Sequence, residues 1–271
     1  MAIMNLLKIT DLAPHQITNI LNKSIDFKNG YVSDSLKGKT AVLLFEKPSL
    51  RTKLGFFKAI NLLGGTPIYF GPEEVGIGTR ESVKDISKVV SRMADIAIIR
   101  TFSHSILEEF CKYSEIPIIN ALSDLEHPCQ ALGDLLTIKE SSSLNLNKIK
   151  ITFIGDGNNV ARSLCHAILS LGGKFVMCSP EQFGLDDHYI AKAEELVQLY
   201  GGKFTKEKSP EKAVEKSNFI YTDVWASMGQ EKETSKRREA FGLKYQVNNK
   251  LLDSMHPTTI FMHDMPAHEG E

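Results

Sequence analysis

The chain has 271 residues, 42% of them hydrophobic and 24% charged, and its Lys+Arg 32 against Asp+Glu 33 give a formal net charge of -1. That balance excludes a global attraction for nucleic acid or anionic lipid, so a charged ligand has to be caught locally. No apolar run is long enough to span a bilayer, and the four cysteines show no CxxC spacing, which leads us to expect a soluble cytoplasmic protein with reduced thiols and packed cores.

In chain order, Asp11 is placed to cap a helix over 12–28 that Gly30 ends. An apolar strand over 40–45 leads into Glu46-Lys47-Pro48-Ser49-Leu50-Arg51-Thr52-Lys53 and a helix over 51–63. At such a turn the hydroxyls of Ser49 and Thr52, the fork of Arg51 and the unpaired amides of a helix start converge on one point, which suits a phosphate group. Ser and Thr before a helix are also ordinary caps, so this stretch alone leaves both readings open.

A strand over 66–70, a helix over 81–92, a strand over 95–99, a helix over 105–112, a strand over 116–120 and a helix over 128–139 follow. Such alternation predicts a parallel sheet with helices on both faces and ligands at the carboxyl ends of its strands. Arg51, Arg100 and His127 each fall just past such an end. The polar stretch from Glu140 to Asn147 marks a domain boundary, separating 1–143 from 144–271. A second alternation comes after it: strand 149–154, helix 159–171, strand 174–178, helix 187–200, a short strand near Phe204, helix 210–216 and strand 219–223. A polar loop, a helix over 248–255 and a strand over 260–262 complete the reading. The predicted fold class is α/β, two doubly wound domains with parallel sheets flanked by helices and a cleft between them.

Four further stretches carry chemistry. Gly155-Asp156-Gly157-Asn158-Asn159-Val160 stands where a dinucleotide fingerprint would, but the third glycine is replaced by Val160, and Asp186 and Asp187 lie about 30 positions past the strand, too far for a ribose. A tight turn presenting polar side chains is the better reading. His127-Pro128-Cys129-Gln130 offers an imidazole and an amide at a helix start, although a proline there also suits a plain capped helix. Asp223-Val224-Trp225-Ala226-Ser227-Met228-Gly229 puts an acid at a strand end. His263-Asp264-Met265-Pro266-Ala267-His268 has metal-ligand residue types, yet Pro266 splays the histidines and further ligands are lacking, so no metal is expected.

Taken in order and spacing, Ser49 to Thr52, Arg80 to Asp85, His127 to Gln130, Gly155 to Asn159, Asp223 to Gly229 and His263 to Pro266 resemble the aspartate/ornithine carbamoyltransferase family, on its ornithine-using side, over nearly the whole chain. The resemblance implies a first domain that binds carbamoyl phosphate, a second that binds the amino acid, closure of one on the other, and homotrimers or multiples of trimers. By matching positions it puts Ser49, Leu50, Arg51 and Thr52 on the phosphate, and Arg100, His127 and Gln130 on the carbamoyl and phosphate oxygens. Asn159, Asp223, Ser227 and Met228 match the ornithine-binding positions. The implied reaction moves the carbamoyl group to the δ-amine of L-ornithine, giving L-citrulline and phosphate in arginine biosynthesis or its reverse, with no cofactor. Thr52, Arg100 and His127 would then stabilise the oxyanion, with Arg51 beside the amine.

Three departures qualify the resemblance. His263-Asp264-Met265-Pro266 stands where the family has His-Cys-Leu-Pro, which brings Asp264 and Met265 into the acceptor site. A carboxylate beside the δ-ammonium would hold its proton, so Asp264 is expected beside the α-ammonium, as an addition to the catalytic set Arg51, Thr52, Arg100 and His127. Lys53 stands at a family arginine and keeps the charge without the fork. Relatives also continue past the position of Glu271 with a returning helix and a further phosphate-contacting arginine; without it, weaker carbamoyl phosphate binding and looser closure are expected. A transcarbamylase for another amine and a non-catalytic ligand-binding relative are the alternatives.

Overall fold

The computed structural model describes residues 4–226, 233–253 and 255–268. The chain divides into two compact units, 1–129 and 130–271, and the division falls inside the helix Pro128–Ser141.

The first unit is built on strands β1 (Thr40–Phe45), β2 (Thr66–Phe70), β3 (Ile96–Arg100) and β4 (Ile118–Leu122). They form one sheet in the order β2-β1-β3-β4, every pair parallel. Ala41 to Phe45 are all buried, as a central parallel strand covered on both faces requires. One face packs Val42, Leu44, Ala97 and Ile99 against Leu107 and Phe110, while the other packs Ala41, Leu43, Phe45 and Ile98 against Ile60. β1 turns one way to β2 while β3 is laid on its opposite flank, so the switch point lies between β1 and β3. Phe45 pairs with Arg100, which puts the carboxyl ends of those two strands side by side.

The second unit repeats the device with β5 (Lys150–Ile154), β6 (Lys174–Cys178), β7 (Lys203–Glu207), β8 (Phe219–Thr222) and β9 (Ile260–His263). The order is β7-β6-β5-β8-β9, again parallel throughout, with the switch point between β5 and β8. Ile154, Val176, Cys178 and Ile220 pack on Phe183, Trp225 and Phe241. The expected fold class is what the chain adopts.

Element ends differ from expectation where side chains compete for the backbone. Asp11 does not cap the first helix, which runs Pro14–Lys28 with Ala13 ahead of it. The Asp11 carboxylate accepts instead from the amides of Leu7 and Lys8, at 2.8 and 3.0 Å, and closes the 3-10 turn Ile9–Asp11. The helix expected over 210–216 stops at Ala213. The polar loop after β8 contains a helix, Thr234–Phe241, held by one buried cation: Arg237 pairs with Asp156 at 2.8 Å, donates to the Trp225 carbonyl at 2.9 Å, and lies 4.8 Å from the Phe183 ring. Arg100 closes β3 from within the strand. Among the described residues no helix is long and apolar enough to cross a membrane, and all four cysteines are free thiols.

Candidate active site

In the first unit the site grows from the switch point. The helix after β1 runs Leu50–Leu62, with Ser49 as its N-cap in an extended conformation and no side-chain cap bond. The Ser49 hydroxyl is therefore not spent on the helix, and the amides of Leu50, Arg51 and Thr52 face outward as every first turn leaves them. The side chains of Leu50 and Arg51 are exposed. Arg100, buried at the end of β3, donates from Nη1 to Thr52 Oγ1 at 3.3 Å and so ties the neighbouring strand end to this helix start. Glu46 reinforces the tie: its amide donates to the Arg100 carbonyl at 2.8 Å, and its carboxylate accepts from the Phe102 amide at 3.0 Å and from the Thr101 hydroxyl. Lys53 turns away from this point, its ammonium 3.4 Å from the centre of the Tyr69 ring.

His127 arrives from the loop after β4, which is pinned from below. Asn120 donates to the carbonyls of Leu7 and Glu126, at 2.8 and 3.3 Å, while His104 Nδ1 pairs with the Ser123 hydroxyl at 2.7 Å. His127 is buried, and that burial, together with the positive charge of Arg100, holds its imidazole down at about 3. At neutral pH it is therefore an uncharged ring, able to donate one N–H without adding charge. Gln130, half-buried in the first turn of Pro128–Ser141, donates from Nε2 to Asp134 Oδ1 at 3.0 Å.

In the second unit the switch point carries an acid. Gly155, with a φ of 147°, turns the chain out of β5, and Asn158 reaches the end of β8. Asn158 Nδ2 donates to Asp223 Oδ2 at 2.7 Å, and the Val224 amide donates to Asp223 Oδ1 at 2.8 Å. Asn159, named from sequence, accepts locally from the Val160 amide at 3.0 Å. Thr222 pairs with His263, so Asp264 follows the end of the strand beside Asp223. Burial and the charge of Asp264 push the Asp223 carboxyl up to about 7, against the pull of the Val224 amide and Asn158. Asp134 is pushed up to about 8 by burial and by the charges of Asp264 and Asp223. Three carboxyls thus share a site that a cation would relieve. Met265 is half-exposed next to Asp264, while Ser227 and Met228 lie outside the described residues.

Asn158, Asp134 and its partner Tyr221 were not among the residues singled out from sequence. Asn158 sits in the same glycine turn as Asn159 and carries the helix-cap signal, its Oδ1 accepting from Val160 and Ala161, each at 3.0 Å. Asp134 follows Gln130 by four positions, the spacing at which helix side chains meet. Gly157 does not serve a nucleotide: a Cβ there would stand 2.4 Å from the Gly184 carbonyl carbon, so the chain's own backbone fills the face a pyrophosphate would approach. Among the described residues no group of three or more His, Cys, Asp or Glu is arranged to hold a metal ion.

Comparison with known proteins agrees with this division of labour. Residues 4–140 match the carbamoyl-P binding domain of aspartate/ornithine carbamoyltransferase, and residues 147–271 match its Asp/Orn binding domain. The chain belongs to the aspartate/ornithine carbamoyltransferase family. An ornithine carbamoyltransferase of Listeria monocytogenes is 42% identical to it over 269 residues, 98% of this chain and 85% of the relative. The solved ornithine carbamoyltransferase of Pyrococcus furiosus superposes with a TM-score of 0.93 at 40% identity, covering 100% of this chain and 87% of that one. An anabolic ornithine carbamoyltransferase from Campylobacter jejuni gives a TM-score of 0.95 at 30% identity, covering 99% and 88%. In this family member the phosphate-suited helix start lies in the part matched to the carbamoyl-P domain, and the acid cluster lies in the part matched to the Asp/Orn domain.

Proposed function

We propose that this chain transfers the carbamoyl group of carbamoyl phosphate to the δ-amine of L-ornithine, giving L-citrulline and phosphate. The observation that carries the reading is the Arg100 to Thr52 hydrogen bond of 3.3 Å, which gathers a buried guanidinium and a hydroxyl at a helix start where the side chains of Ser49 and Arg51 make no hydrogen bond among the described residues. Family membership, and close relatives that carry the ornithine carbamoyltransferase name, support the choice of substrates.

In this reading Arg51 forks onto two phosphate oxygens while Ser49, Thr52 and the amides of Leu50 to Thr52 take the others. Arg100, Thr52 and uncharged His127 face the carbamoyl oxygen, and Gln130 faces the carbamoyl nitrogen. The neutral amine attacks the carbamoyl carbon and a C–N bond forms. Charge gathers on the carbonyl oxygen, then the C–O bond to phosphate breaks, and phosphate leaves with that electron pair and takes the proton shed by the newly bonded amine nitrogen. Each oxyanion donor contributes about 2.7–4 kcal/mol when judged by its removal. Presenting an alkylamine of pKa ~10.4 in neutral form at pH 7 costs roughly 4–5 kcal/mol, which the positive charge of Arg51 reduces. Asp223 and Asp264 take the α-ammonium, and Asn159, Ser227, Met228 and Met265 complete the acceptor end.

We keep the functional boundary at 143/144, so that the whole of Pro128–Ser141 counts with the donor domain. Assembly as a homotrimer or a multiple of trimers, a cytoplasmic location and a place in arginine biosynthesis belong to the same proposal, the free thiols supporting a reducing compartment. A colorimetric citrulline assay with carbamoyl phosphate and a panel of amines tests it. Product with ornithine alone is expected; product only with another amine, or binding without turnover, overturns it.

A further inference from the structure

We infer that Asp134 is a positioning residue for the donor: by holding the nitrogen end of the Gln130 amide it turns Oε1 outward as a hydrogen-bond acceptor, selecting an N–H-bearing carbamoyl group over a methyl-bearing acyl group. The inference rests on the reading of Gln130 as a carbamoyl contact.

Asp134 Oδ1 takes two hydrogen bonds, from Gln130 Nε2 at 3.0 Å and from the Tyr221 hydroxyl at 3.1 Å. Tyr221 is fully buried in β8, with its ring stacked 5.4 Å from that of Phe153, so its hydroxyl is held in place. An oxygen that already accepts from a fixed phenol has no hydrogen to give Gln130, and the amide can meet it only through Nε2. Asp134 Oδ2 is buried with no partner among the described residues, so the whole carboxyl is organised around Oδ1. Protonation on Oδ2 leaves Oδ1 an acceptor, and the arrangement therefore has the same direction whether the carboxyl is charged or neutral. The Gln130 side chain makes no other hydrogen bond among the described residues, which leaves Oε1 available to a ligand. A carbamoyl N–H satisfies that oxygen. The methyl of acetyl phosphate, otherwise the same size and charge, leaves it desolvated and unpaired.

The test is calorimetric titration of carbamoyl phosphate and acetyl phosphate into the wild type, Asp134→Asn, Tyr221→Phe and Gln130→Ala. In Asp134→Asn the partner amide offers both an N–H and an oxygen, so Gln130 is free to turn either way. The preference for carbamoyl over acetyl phosphate is expected to fall about tenfold, with acetyl phosphate affinity unchanged. Tyr221→Phe keeps the ring and is expected to lower the preference about threefold; if Asp134→Asn does not fold, this variant decides. An equal loss for both ligands, or an unchanged preference, overturns the inference. If Gln130→Ala loses the preference while Asp134→Asn keeps it, the positioning role alone is wrong. If Gln130→Ala keeps it, the carbamoyl contact itself is wrong.

Discussion

Asn158 holds Asp223 with one end of its amide and a helix with the other: Nδ2 donates to Asp223 Oδ2 at 2.7 Å, and Oδ1 accepts from the amides of Val160 and Ala161 at 3.0 Å. One side chain therefore starts Asn159–Ser170 and aims the acid at the second switch point. Asn158→Ala is expected to cost about 1 kcal/mol of stability through the lost cap and to raise the ornithine KM severalfold, with the KM for carbamoyl phosphate unchanged. Denaturant unfolding and steady-state kinetics check the two effects separately.

Ornithine binding should follow the ionisation of Asp223. Its carboxyl, raised to about 7 by burial and by Asp264, is protonated below that pH and charged above it. A cationic α-ammonium thus gains its partner as pH rises, and affinity is expected to climb between pH 6 and 8 and then level off. Asp264→Asn removes the repulsion and moves the inflection to lower pH. Titration calorimetry across that range reads the shift; an inflection that stays put in the variant contradicts the pairing of the two acids.

In the proposed reading the donor site asks for a fork at position 51. Arg51 is exposed, with no ion pair among the described residues, so Arg51→Lys should leave folding untouched. Lysine keeps the charge and drops bidentate pairing, and carbamoyl phosphate is expected to bind about tenfold more weakly, a loss of about 1.4 kcal/mol. Equilibrium titration of the donor alone measures it.

Arg237 is a structural counterpart to these sites. It and Asp156 are both buried and lie 2.8 Å apart. Burial nonetheless raises the Asp156 carboxyl above its ordinary value, so the acid depends on this partner to remain charged. Arg237→Met strands it, and a destabilisation of about 3–5 kcal/mol is expected by chemical denaturation. Asp156→Asn in the Arg237→Met background should recover part of that loss, because no charge is then left unpaired.

The sheets were legible in the sequence because their strands are buried on both faces and so read as short apolar runs, as Thr40–Phe45 and Lys150–Ile154 do. That Ser49, Arg51 and Asp223 follow strand ends was legible because each comes after a short apolar run. Thr234–Phe241 was not, since the sequence TSKRREAF has no apolar stripe; what fixes the helix is a buried arginine whose buried acid partner, Asp156, lies far away in sequence. Asp134 was missed for a related reason. On its helix it reads as one more polar position, and only Tyr221, 87 residues on, reveals that it faces inward. Asp11 shows the reverse case: a good cap residue used by the turn in front of the helix it was expected to start.

Neither sheet borrows a strand from the other: β1 to β4 complete one, and β5 to β9 complete the other. During synthesis the nascent chain therefore holds every ladder partner of the first sheet before the first strand of the second has left the ribosome. Vectorial folding can close the donor half early, so that the aggregation-exposed interval of the parallel pairing in each half is shortened to the time needed for that half alone.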